Sequence, residues 1–212
     1  MLRDGRGGGA HLNLLDPVEA IAVLFGVVSV FLSVRQNIWS WPTAIINVSL
    51  YFVVFYRARL YADMGLQVFY AAISIYGWYH WLFGGANRTR LKVSLTPRPW
   101  WPLLALLWLA GSYALGTILS RHTDAAVPYV DSALTVGSLV AQWMMTRKYV
   151  ENWLIWILLD VAYVMVFIDR GLILTAVLYA IYLVLASLGF IEWRRTWRDE
   201  QLGGAPTVIR PA

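Results

Sequence analysis

Trp153, Trp156, Asp160, Tyr163 and Phe167 recur at alternating steps of three and four residues. That spacing sets them on one stripe of an α-helix. Asp160 is the one acid in the middle of an apolar stretch, and a carboxylate at the centre of a bilayer costs at least about 2.5 kcal/mol. It must face a watery cavity or a partner, or take up a proton. No Lys or Arg lies mid-stretch to pair with it. The arrangement suits a ligand carrying a positive charge or hydrogen-bond donors, with Trp153, Trp156 and Tyr163 supplying ring faces for stacking or cation–π contact. A structural hydrogen bond to a neighbouring helix is the competing reading.

Other polar stripes follow the same periodicity. Ser40, Asn47 and Tyr51 share a face, as do Gln67, Tyr70, Ser74, Gly77 and Trp81, and so do Asp131, Thr135, Ser138 and Gln142. Ser, Thr and Gly in such places chiefly let membrane helices approach closely. The amides of Asn47, Gln67 and Gln142 each need several hydrogen-bond partners in hydrocarbon, and serve either an interhelix bond or a ligand. The candidate binding set is therefore Asn47, Tyr51, Gln67, Tyr70, Gln142, Trp153, Trp156, Asp160 and Tyr163. Glu19, Asp63 and Asp131 fall at stretch ends and read as solvated or capping groups; His80 reads as interfacial. There is no Gly-rich phosphate loop with a Lys, no metal-ligand cluster and no nucleophile beside a base. Catalytic residues, metals, cofactors and nucleic-acid partners are thus not expected. The lack of Cys excludes disulfides, thiolate zinc sites, iron–sulfur clusters and thiol catalysis.

The elements that hold these residues are membrane helices. Of 212 residues, 59% are hydrophobic and 14% charged, whereas a water-facing domain would carry about a quarter charged. Seven apolar stretches are long enough to cross about 30 Å of hydrocarbon, at 18–34, 38–56, 66–83, 100–119, 130–146, 153–168 and 172–191. With seven crossings, six basic residues (Arg3, Arg6, Arg57, Arg59, Arg121, Arg170) share one side and eleven the other, from Arg35 to Arg210. The positive-inside rule puts the richer side in the cytoplasm, so the N-terminus lies outside and the C-terminus inside. Eight Trp residues, at 39, 41, 78, 81, 100, 101, 193 and 197, fall near stretch ends and read as headgroup-level anchors. The first stretch lacks a small-residue cleavage site, which argues against a cleaved signal peptide.

Shifting the sequence by 112 residues lays 18–81 on 130–193 without a gap. Thirteen of 64 positions are identical, among them Arg35/Arg147, Trp41/Trp153, Tyr51/Tyr163, Tyr70/Tyr182, Gly77/Gly189 and Trp81/Trp193; composition alone would give roughly five. The expected layout is an N-terminal tail (1–17), a three-helix repeat (18–83), a loop and linker helix (84–129), a second repeat (130–193) and a basic C-terminal tail (194–212). The linker crossing makes the repeats parallel, an arrangement used by transporters with a midplane site between the halves. Rocking of one repeat against the other, without energy coupling, is the simplest mechanism; a membrane enzyme or assembly factor is the alternative from another class.

The strings WPTAIIN, LQVF, IYGWY and RKYVENW in combination resemble the PnuC family of bacterial vitamin transporters, over nearly the whole membrane region. The resemblance implies a seven-helix, three-one-three arrangement like that of SWEET transporters, a homotrimer in the bacterial inner membrane, and facilitated diffusion of nicotinamide riboside trapped by a cytosolic vitamin kinase. The family's W-x-x-x-N motif reads Trp156 to Asp160 here, with Asp in place of Asn. Related members carry thiamine or riboflavin. Nicotinamide riboside and thiamine are both aromatic cations and suit Asp160; a neutral flavin suits it less. Nicotinamide riboside is the first expectation and thiamine the alternative.

Overall fold

The computed structural model describes residues 17–123 and 127–203. The N-terminal tail with Arg3 and Arg6, part of the 84–129 segment, and the C-terminal tail from residue 204, with Arg210, lie outside the described residues. Among the described residues there are seven α-helices and one 3₁₀ turn. They are α1 (Pro17–Val34), α2 (Ser40–Arg57), α3 (Tyr61–Phe83), α4 (Trp100–His122), α5 (Pro128–Thr146), α6 (Asn152–Asp169) and α7 (Ile173–Gln201). Four of them, α1, α4, α6 and α7, are long and apolar enough by length and composition to cross a membrane.

The helices match the seven apolar stretches closely, with two differences. Helix α3 starts five residues early, at Tyr61, because Asp63 in its first turn complements the helix dipole. Helix α7 continues to Gln201 through residues read as tail, because helix propagation needs only i→i−4 bonds. Arg195 and Asp199 pair across one turn of this extension.

The 112-residue shift maps α1 onto α5, α2 onto α6 and the start of α3 onto the start of α7. Local backbone signals repeat as well. Left-handed φ angles of 53° at Gln36 and Lys148 end α1 and α5, and those of 59° at Arg59 and 71° at Gly171 end α2 and α6. Each helix end is closed by the same pair of bonds, as in Gln36 N–H to Ser33 O and Asn37 N–H to Leu32 O, a Schellman closure.

Six helices pack as a closed ring in the order α1, α2, α3, α5, α6, α7 and back to α1, while α4 packs on α5. At one end of the ring, four indoles fill the core. Trp41 meets Trp81 edge-on at 5.2 Å, Trp153 meets Trp193 edge-on at 5.4 Å, and Trp81 and Trp193 lie 5.8 Å apart. Gly77 and Gly189 make room: a Cβ at either would overlap the indole of Trp41 or Trp153. We expect Gly189→Ala to cost about 1–3 kcal/mol through overpacking. Gly65→Ala, where the added methyl meets nothing within 4 Å, should be neutral or slightly stabilising, and thermal unfolding of the two variants in detergent separates these outcomes.

The indole cluster corrects three anchor assignments. Trp41, Trp81 and Trp193 are 3%, 2% and 0% exposed, so they are core and not headgroup contacts. Trp81 Nε1 donates to Met145 O and Trp193 Nε1 donates to Ser33 O, each at 3.0 Å. An interior carbonyl thus satisfies the polar tip that would otherwise seek the headgroup level. Trp39, Trp78, Trp100 and Trp101 are exposed, as anchors require, and Trp197 is half-buried.

The segment after α3 straps this end. Leu91 N–H bonds Trp81 O, and Ser94 bridges the α5–α6 loop through Lys148 O and Val150 N–H. Thr96 donates both its N–H and its hydroxyl to Glu151. Lys148 lies in that loop with its ammonium 4.5 Å from the Trp81 ring centre. Burial pushes it down to about 8, against the pull of Glu200.

Candidate functional site

The ring encloses a cavity of about 260 Å³ between the helices. Its floor is formed by Trp41 and Trp153 from the indole cluster. Its wall carries Gln142 from α5, Trp156, Asp160 and Tyr163 from α6, Tyr70 from α3, and Tyr179 and Tyr182 from α7. Asp160 is 4% exposed, and among the described residues no group donates a hydrogen bond to its carboxylate and no cation pairs with it. Unpaired, it is an acceptor site presented to whatever occupies the cavity.

The aromatic wall is continuous. Tyr163 lies 4.6 Å from Tyr179, and Tyr179 meets Tyr182 edge-on at 5.8 Å. Phe167, the last member of the α6 stripe, closes this group against Tyr163 and Tyr179. Ser138 spends its proton on Thr135 O, so the 2.5 Å contact with Tyr70 has the tyrosine hydroxyl as donor. This bond joins α3 to α5 beside the cavity. At the position related by 112 residues, the Tyr182 hydroxyl lies over Gly26, where a Cβ would sit 2.7 Å from it.

Six residues of the sequence-derived set meet at the cavity: Tyr70, Gln142, Trp153, Trp156, Asp160 and Tyr163. Three lie elsewhere. Asn47 donates its amide to Ala22 O at 2.7 Å, tying α2 to α1. Tyr51 stacks on Phe55 within α2. Gln67 lines a separate recess between α2 and α3. Away from the cavity, Asp131 pairs with Arg170 at 3.5 Å. His80 stacks on Tyr76 and bonds Arg147 at 3.2 Å.

The cavity also takes in residues the stripes did not single out: Trp41, Ser29, Ser33, Tyr179 and Tyr182. A signal for some of them lay in the internal repeat. Trp41 and Tyr182 are identical to Trp153 and Tyr70 at the 112-residue shift, which marks them as sharing an environment. Among the described residues no group of His, Asp and Glu could hold a metal ion.

A family model described as nicotinamide mononucleotide transporter matches residues 16–195. The chain is 30% identical to the nicotinamide riboside transporter PnuC of Escherichia coli over 87% of this chain and 88% of that one. It is 28% identical to the riboflavin/roseoflavin transporter RibM of Streptomyces davaonensis over 89% and 91%. Among solved structures it is similar to that of the vitamin B3 transporter PnuC, with a TM-score of 0.67, 25% identity, and coverage of 86% of this chain and 82% of that one.

Proposed function

The chain belongs to the nicotinamide mononucleotide transporter family, and on that premise we propose that it carries nicotinamide riboside through the cavity around Asp160. It is a vitamin transporter, a multi-pass protein of the bacterial inner membrane, and not an enzyme. The observation that carries the substrate reading is the unpaired, buried Asp160 carboxylate with Trp153, Trp156 and Tyr163 on the same wall. A carboxylate that ionises against a bound cation in a low-dielectric cavity holds that cation strongly, and indole faces favour a flat, positively charged ring. The cavity, about 260 Å³, falls just below the usual range of ligand pockets, about 300 Å³ upward. This favours a vitamin smaller than a three-ring flavin.

The binding residues of this reading are Tyr70, Gln142, Trp153, Trp156, Asp160 and Tyr163. Asn47, Tyr51 and Gln67 support them from the neighbouring helices. All seven helices cross the membrane, with the N-terminus outside and the C-terminus in the cytoplasm. They form two parallel repeats, 18–83 and 130–193, related by an axis along the membrane normal, with α4 as the linker. Reciprocal contacts support that axis: Trp81 bonds residue 145 while Trp193 bonds residue 33, and 145 is 33 shifted by 112. Transport is facilitated diffusion by rocking of the repeats. The protein is a homotrimer, and a cytosolic kinase traps the vitamin by phosphorylating it. Thiamine is the second reading, favoured by Asp160 standing where the family motif has Asn.

Flux into liposomes holding the purified protein tests the substrate. We expect saturable entry of labelled nicotinamide riboside, insensitive to a proton gradient, and weaker entry of thiamine. Absence of flux for both, with the protein folded, would refute the reading; the reverse order of rates would make thiamine the substrate.

A further inference from the structure

Helix α5 ends on an arginine that no acid neutralises. Arg147 follows its last residue, and among the described residues no carboxylate pairs with it. Glu151, further along the loop, spends its Oε2 on the N–H and hydroxyl of Thr96. The helix dipole accounts for a positive charge at this place but not for what surrounds it. The guanidinium carbon lies 5.7 Å from the ring centre of Tyr76 and 5.4 Å from that of Trp143. Its Nη1 donates to His80 Nε2 at 3.2 Å; an arginine only donates, so that imidazole is neutral and carries its proton on Nδ1. Nε is enclosed and has no partner, yet the residue as a whole is only half-buried. The free donors are therefore those of the amino end, framed by two rings and an imidazole.

The first half of the chain does not repeat this frame. The 112-residue shift puts Arg35, Phe31, Leu188 and Glu192 at the positions of Arg147, Trp143, Tyr76 and His80. Arg35 thus has an acid where Arg147 has a neutral ring, and it is exposed. The surroundings differ too. Helices α3 and α4 both pack on α5 but make no substantial packing with each other, so they wall a groove with α5 as its floor. Arg147 stands at one end of it, where α3 and α5 finish and α4 begins. Trp100, the first residue of α4, packs on Trp143 at 5.0 Å from the other wall. Tyr76 and Trp100 are 40% and 37% exposed, as suits aromatic rings at headgroup depth. Beyond this end the groove runs between membrane helices, where its occupant is hydrocarbon.

We propose that Arg147, framed by Tyr76, His80 and Trp143, binds the phosphate of an anionic phospholipid whose acyl chains lie in the groove between α3 and α4. A guanidinium with spare donors meets two phosphate oxygens at once, and its stacking on rings fixes the direction in which they point. A zwitterionic lipid would bring a second cation to a place that already holds Arg147 beside Lys148, with Arg98 just before Trp100. The lipid would bridge α3 of one repeat to α5 of the other and seat the linker α4 against both. This site lies outside the cavity and is independent of what the cavity carries.

Native mass spectrometry of the delipidated full-length protein in detergent, titrated with phosphatidylglycerol, phosphatidylcholine or inorganic phosphate, tests it. The expected result is that wild type retains phosphatidylglycerol in preference to phosphatidylcholine, that Arg147→Gln binds it about tenfold more weakly, the loss of one charge-assisted hydrogen bond, and that Arg35→Gln binds it as wild type does. Equal retention of the two lipids by wild type, unchanged affinity in Arg147→Gln, or equal loss in Arg35→Gln overturns the site. Inorganic phosphate that competes as well as the lipid does overturns it in favour of a soluble anion. Loss of subunit association in Arg147→Gln with lipid binding intact gives the groove to a second copy of the chain and overturns it as well. Should Arg147→Gln fail to fold, Tyr76→Leu is measured instead, since Leu is what the related position 188 carries. The site requires phosphatidylglycerol binding weakened about threefold, one exposed cation–π contact, and full affinity overturns it.

Discussion

Asp160→Ala is expected to weaken binding of a cationic vitamin by roughly 30- to 1,000-fold while leaving the protein folded. The magnitude follows from removing one partner of a desolvated charge pair, a loss of about 2–4 kcal/mol. The folding side follows from the absence of any protein partner: the carboxylate is buried, accepts no hydrogen bond from the described residues, and is a cost to the empty transporter. The substitution should therefore raise the melting temperature without ligand and abolish the ligand-induced shift, which for wild type at a hundred times Kd is about 2.7 kcal/mol. Asp160→Asn separates the contributions. If charge dominates, it falls near the alanine variant; if hydrogen bonding dominates, it stays near wild type. Unchanged affinity in Asp160→Ala, measured by calorimetry, would remove the residue from the site.

Trp193→Ala carries the largest expected effect on stability. The side chain is fully buried, packs edge-on against Trp153, and donates from Nε1 to the Ser33 and Val34 carbonyls. Truncating a buried Trp costs about 3–5 kcal/mol. That is a large part of the 5–15 kcal/mol typical of a whole domain. The variant should give little monodisperse protein on size exclusion after membrane extraction. Trp39→Ala, at a residue 64% exposed near the start of α2, should extract normally. Equal yields of the two would mean that the indole cluster holds nothing together.

The α6 stripe was legible because one helix contributes it. Spacing alone sets Trp153, Trp156, Asp160 and Tyr163 on one face, and the cost of an acid in hydrocarbon turns that face inward. Asn47 and Gln67 met the same criterion and ended elsewhere, because an inward-facing amide is equally served by a neighbouring carbonyl. Asn47 found Ala22 O one helix away, and nothing in the spacing of α2 records what α1 presents. The buried tryptophans misled for a related reason. Nearness to a stretch end suits both a headgroup anchor and a plug at the end of a bundle, and the choice depends on whether a glycine on the facing helix admits the ring. Gly77 does so for Trp41 and Gly189 for Trp153, and those two rings cover Trp81 and Trp193 in turn. Tyr179 went unmarked because its equivalent is Gln67, so the repeat gave no matching residue to draw attention to it.

The ring also says something about the order in which the chain comes together. The packing of α1 with α2, α2 with α3, α5 with α6 and α6 with α7 joins neighbours in sequence, and such local pairs form early and fast. Closure is different. Trp193 bonds Ser33 across 160 residues, Gln36 bonds Thr196 across the same span, and Tyr182 settles over Gly26, all from α7. During synthesis the helix that completes the wall leaves the ribosome after the other six described helices. Until then the ring stands open on its α1 side, and the carboxylate of Asp160, already inserted, waits for the tyrosines that will enclose it.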